Sequence, residues 1–142
     1  MRFMIIRKAD KQTEAGVLPD GHLLAAMARY NEELANAGVF RGGEGLQPSA
    51  TGARVTFSGG KPVVTDGPFT ETKELIAGFT LIEVASREEA IAWVKRWPAL
   101  DGDGEFEIEI RQVYEAEDFG PALTAELREA EERLRARVDA RS

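Results

Sequence analysis

The chain has 142 residues, 25 acidic and 18 basic side chains, a formal net charge of −7 and no cysteine. One domain of this length buries a core without disulfide or metal staples, the acidic balance leaves no basic footprint for a nucleic-acid backbone, and the missing thiols exclude cysteine nucleophiles, thiolate metal sites and iron–sulfur clusters. No apolar run approaches the roughly 18 residues of a spanning helix, and Arg7 and Lys8 follow Met1–Ile6 before a signal-peptide core forms, so a cytoplasmic protein without membrane or nucleic-acid partners is expected.

Arg2–Lys8 is a short, isoleucine-rich run that reads as a buried strand in the middle of a sheet. Lys11 to Gly21 is polar and broken by Gly16, Pro19 and Gly21, which predicts a loop, with Asp20 as cap of the next helix. In that helix Leu23, Met27, Tyr30, Leu34 and Ala37 recur at steps of three and four, opposite Arg29, Glu32, Glu33 and Asn36. Gly38 stops it, and Val39 to Leu46 reads as an irregular strand weakened by Gly42, Gly43 and Gly45. Arg54–Phe57 and Pro62–Thr65 around Ser58-Gly59-Gly60-Lys61 give a hairpin signal.

After the Asp66-Gly67-Pro68-Phe69 turn and a polar helical turn, Gly78–Val84 is a second strong strand. Ser86 with Glu89 forms a capping box for a helix carrying Ala90, Ile91, Val94 and Trp97 that stops at Pro98. Glu105–Arg111 alternates strictly, placing Phe106, Ile108 and Ile110 toward the core and Glu105, Glu107, Glu109 and Arg111 away from it. Pro121 to Asp139 is a further amphipathic helix with a narrow seam of Leu123, Leu127, Ala130, Leu134 and Val138, which implies a partner surface on its own sheet or on a second subunit. The order forms two βαβ-like halves, hence an α+β, ferredoxin-like sandwich: an antiparallel sheet with helices on one face, over residues 1–119, plus an added C-terminal helix within 120–142. Because the open sheet face needs cover, a homodimer with a cleft between sheet and partner is expected.

His22, the only histidine, falls at the start of the first long helix, where an imidazole suits a base. Asp66 is either the maker of an Asx-type turn ahead of Gly67-Pro68 or a site residue, and paired with His22 it would form a dyad for proton transfer. Arg111 and Glu109, on the polar strand face, are candidates to line a ligand pocket with Phe69, since an arginine holds a carboxylate in bidentate fashion. No Gly-x-Ser-x-Gly elbow supports a serine hydrolase, Gly42-Gly43-Glu44-Gly45 lacks the lysine of a phosphate cradle, and no ligand spacing supports a metal. No cofactor is expected, and whether the chain is an enzyme stays open between a small-molecule pocket and a regulatory module.

Asp66-Gly67-Pro68-Phe69-Thr70-Glu71-Thr72-Lys73-Glu74, followed by Gly78-Phe79, resembles the signature of the YCII-related superfamily in its DGPF branch, departing from the usual form only at Thr70. Asn31-Glu32-Glu33-Leu34, Ala37-Gly38-Val39, Gly43–Ser49 and Glu109-Ile110-Arg111 agree further, over roughly residues 1 to 119. The resemblance implies a dimeric ferredoxin-like fold of the dimeric α+β barrel type and relatives that use a histidine near the first helix with an aspartate in a cleft, the roles His22 and Asp66 would take. It also implies an association with extracytoplasmic-function sigma factors, that is, a sensing or partner-binding role. His22 is preceded here by Pro19-Asp20-Gly21 rather than the Arg-Pro pair of those relatives.

Overall fold

Strand β1 (Arg2–Lys8) alternates half-buried and buried residues, with Phe3, Ile5 and Arg7 on the buried face, the period of two that a pleated strand imposes. In this computed structural model, which describes residues 1–141, β1 lies between β5 (Ile76–Glu83) and β6 (Ile108–Gln112), and β2 (Phe40–Gly45) pairs with the other side of β5. The sheet order is β2-β5-β1-β6 with every neighbour antiparallel. Helix α2 (Gly21–Asn36) connects β1 to β2 and α3 (Arg87–Val94) connects β5 to β6, which is the expected ferredoxin-like α+β arrangement.

Local chemistry fixes the helix ends. The Asp20 carboxylate accepts the Leu23 N–H at 2.8 Å, and beyond the last turn Gly38 adopts φ 75° while Val39 N–H returns to the Leu34 carbonyl, a glycine-terminated helix end. Ser86 Oγ accepts the Glu89 N–H at 3.1 Å, and the Glu89 carboxylate reaches back to the Ala85 N–H. Both helices cover one face. Tyr30 and Leu34 of α2 and Ala90 of α3 pack with Phe3, Ile5 and Ile82 in the core. Tyr30 Oη donates to the Trp93 carbonyl at 2.7 Å, its ring centroid lies 5.4 Å from that of Trp97, and burial pushes its phenol up to about 12.

On the opposite face the register sets Met4 between Arg111 and Leu81, and Ile6 between Glu109 and Phe79. These four apolar side chains are only half-buried.

Apart from helix ends, with α3 closing at Val94 and the C-terminal helix opening at Ala125 rather than Pro121, the structure departs from the sequence reading in three places. Lys11–Glu14, expected as loop, is a short helix, α1, because Asp10 and Thr13 form a reciprocal capping box at its start. Strand β6 begins at Ile108, not Glu105: its partner β1 ends at Lys8, whose N–H still reaches the Glu107 carbonyl, so the residues before it have no strand to join. The expected hairpin forms as β3 (Ala53–Ser58) and β4 (Lys61–Asp66), with Gly59 and Gly60 at φ 56° and 79°, but as a separate two-stranded sheet whose residues are all exposed.

The chain divides into Met1–Gln112 and Val113–Ser142. In the second unit Thr124 Oγ1 accepts the Leu127 N–H at 3.2 Å to cap α4 (Ala125–Asp139). The seam residues Leu127, Leu134 and Val138 are exposed, and the rings of Tyr114 and Phe119 lie 5.2 Å apart ahead of the helix. No helix among the described residues is long and apolar enough to cross a membrane.

Candidate functional site

Arg7 is a charge on the buried face of a central strand, so the fold must supply acceptors for it. Its Nε and Nη2 donate to Asp101 Oδ2 and Oδ1 at 2.9 and 2.8 Å, Nη2 also meets Asp10 Oδ2 at 3.2 Å, and the guanidinium lies 5.3 Å from the centroid of Phe106. Trp97 Nε1 donates to Asp101 Oδ2 at 2.9 Å. Burial alone would raise the Asp101 carboxyl, but hydrogen bonds from Arg7 and Trp97 outweigh it and hold the group below the ordinary aspartate value. Asp10 is likewise held low, burial being outweighed by the Thr13 N–H and Arg7, while the Asp101 hydrogen bond raises Arg7 against its burial.

These groups lie along a cleft of about 1180 Å³ bounded by α1 and the loop after it, the start of α2, β2 and the turn after α3, ample for a small organic molecule. Leu23, Met27, Phe40 and Trp97 form apolar parts of its lining, with the exposed Leu18 and Leu24 at its lip. Along β2, Gly43 pairs with Thr80 and Gly45 with Gly78, all four in the lining. A Cβ at Gly43 would stand 2.7 Å from the Phe79 carbonyl oxygen, so β2 approaches β5 here only because Gly43 has no side chain. Gly43 and Gly45, which weaken this strand in the sequence reading, thus belong to the cleft.

His22, in the first turn of α2 and exposed, is also in the lining. Asp66 is not: it ends β4, is exposed, and no hydrogen bond joins it to His22 among the described residues. The physical reason is topological, because Asp66 belongs to the separate hairpin. Among the described residues its carboxylate accepts no turn N–H either. Glu109 and Arg111 sit on the sheet face away from the helices, 3.4 Å from each other, and the Phe69 ring carries the Arg54 guanidinium 3.8 Å from its centroid.

The Asp66–Phe69 turn connects to the cleft indirectly. Phe69 N–H donates to Ser49 Oγ at 3.0 Å. Ser49 in turn donates its N–H and its hydroxyl to the two carboxylate oxygens of Glu14 in α1, at 3.0 and 2.5 Å. The Gly67 N–H donates to the Gly52 carbonyl at 3.0 Å, and a Cβ at Gly67 would lie 1.8 Å from the Ser49 carbonyl oxygen. The turn thus clamps the Pro48–Gly52 segment, which holds α1, and α1 bounds the cleft. Among the described residues no group of three or more His, Asp or Glu is arranged to hold a metal ion.

The model of the YCII-related domain family matches residues 1–117. A curated relative, an uncharacterized protein of Rhizobium meliloti (strain 1021), is 33% identical over 76 residues, which is 54% of this chain and 61% of that relative's length. Among solved structures, 5-chloro-2-hydroxyhydroquinone dehydrochlorinase (TftG) from Burkholderia phenoliruptrix AC1100, in complex with 2,5-dihydroxybenzoquinone, is 20% identical with a TM-score of 0.45, covering 80% of this chain and 94% of that one.

Proposed function

The chain belongs to the YCII-related domain family, and from that premise we propose that it binds a small molecule in the cleft beside α2 and that His22 exchanges a proton with it. The observation that carries this reading is the single imidazole of the chain lying in the lining of a large, mostly apolar cleft, the setting in which a neutral histidine works as a general base. Within the family we place the chain in the DGPF branch on its Asp66–Glu74 sequence. In this reading Asp66 forms no dyad with His22, and Gly67 and Phe69 belong to the clamp rather than to the ligand pocket.

Screening small aromatic and aliphatic compounds by tryptophan fluorescence tests it, because Trp97 lines the cleft. Leu18 and Leu24 are exposed, so Leu18→Ser with Leu24→Ser leaves the fold intact while removing apolar contact worth about 1–2 kcal/mol. The expected result is affinity lowered roughly tenfold in the double variant and unchanged in Asp66→Asn. Loss in Asp66→Asn with full binding in the double variant would overturn the reading.

The same proposal includes a homodimer in which a second copy covers Met4, Ile6, Phe79 and Leu81, with Glu109 and Arg111 at the margin as complementary charges. Light scattering is expected to give twice the chain mass of 15.6 kDa; a single-chain mass at tens of micromolar contradicts it. A second reading, a regulatory module that docks a protein such as an extracytoplasmic-function sigma factor, is favoured by the exposed Val55, Phe57, Val63 and Val64 of the hairpin. It gains ground if screening finds no ligand for the cleft.

A further inference from the structure

We infer, resting on the reading of the cleft as a binding site, that its ligand is a small organic cation: an apolar, ring-sized body bearing an amine, received by the Thr80 hydroxyl. Thr80 is a polar residue on the buried face of β5, 6% exposed and in the cleft lining. Among the described residues its hydroxyl has no hydrogen-bond partner in the chain. Yet no completely sealed polar side-chain atom is left unpaired, so the hydroxyl opens onto the cleft. Opposite it stands Gly43, where a Cβ would lie 3.2 Å from Thr80 Oγ1, so any side chain at 43 would crowd the hydroxyl. A hydroxyl with no partner in the chain and open to the cleft is available to hydrogen-bond a ligand there.

Charge decides which partner. Asp10, Asp20, Asp101 and Asp103 are in the lining, against Arg7 and His22 and no lysine, so even with Asp10 and Asp101 sharing Arg7 the carboxylates outnumber the cations. Arg7 is already committed to both oxygens of Asp101 and to Asp10. An anionic ligand would leave water to face carboxylates and find no uncommitted cation, while an ammonium brings three donors to a site rich in acceptors. Phe40 and Trp97 in the same lining suit an apolar ring next to a cationic group.

Three probes of nearly equal size separate the cases: 2-phenylethylamine, 2-phenylethanol and phenylacetate, titrated into the full chain at pH 7 and followed by calorimetry and by amide shifts of Gly43, Gly78 and Thr80. The amine is expected to bind at least tenfold tighter than phenylacetate and severalfold tighter than the alcohol. Thr80→Val should weaken the amine severalfold without lowering the melting temperature, because the hydroxyl it removes has no partner in the free chain. A structural role for Thr80 would instead lower the melting temperature. Equal or tighter binding of the alcohol or phenylacetate at those amides overturns the cation inference and leaves the cleft reading standing. Absence of any shift there from all three probes overturns the cleft reading itself.

Discussion

Asp101→Ala is expected to lower the stability of the chain by about 3 kcal/mol at neutral pH, the range for breaking a buried ion pair from one side. The side chains of Arg7 and Asp101 are 8% and 14% exposed, so the guanidinium left behind has little water to turn to. Because the folded Asp101 carboxyl sits below its ordinary value of 3.8, the pair contributes fully above that value and its contribution is lost as pH falls through the lower, folded one. Asp10 acts in the same direction. Urea denaturation at pH 7 and at pH 3 measures this: the gap between wild type and Asp101→Ala should narrow at the lower pH. Arg7→Met combined with Asp101→Leu should recover much of the loss, since it removes both charges. A gap that widens on acidification would show that the pair is not what stabilises this corner.

The second large effect is expected at Gly67. An alanine Cβ there would sit 1.8 Å from the carbonyl oxygen and 2.6 Å from the carbonyl carbon of Ser49, and since both are backbone no side-chain rotation relieves the overlap. Gly67→Ala should therefore cost roughly 2–3 kcal/mol, typical of a forced backbone shift. It should also speed hydrogen exchange at the Ser49 amide, whose acceptor is Glu14. Asp66→Asn, one residue earlier, changes an exposed carboxylate without a hydrogen bond and should leave both unchanged. Equal loss in the two variants would return Asp66 to the role of turn maker.

Much of the fold was legible because its signals are local. Asp20, Gly38 and Ser86 mark helix ends by hydrogen-bonding rules that act within four residues, and the Gly59-Gly60 reversal needs only its own backbone freedom. Alternation in Arg2–Lys8 also carried a hint that went unread: Arg7 falls in phase with Phe3 and Ile5, and an inward charge at that position demands a distant carboxylate, which folding supplies from Asp101, 94 residues away. Gly43 and Gly45 alternate around Glu44 in the same manner, the pattern of a strand face stripped of side chains rather than of a loop. The candidate site was legible only at His22. Asp66 stood out because its surroundings carry a specific sequence, yet what that sequence builds is a close approach at Gly67 and a hydrogen bond to Ser49, both long-range facts that spacing along the chain does not contain. Glu109 and Arg111 were read correctly as one polar strand face, but which side of the sheet faces a pocket depends on where the helices lie.

The central claim is that ligand binding takes place beside α2 and not at the Asp66 turn or the open face of the sheet. The most direct measurement is a crystal structure of the chain grown with a cocktail of small aromatic amines, alcohols and acids. Ligand density between Thr80, Gly43 and His22 is the predicted result. Density against Arg111 and Glu109, or against Asp66 and Phe69, with the cleft beside α2 holding only water, would contradict it.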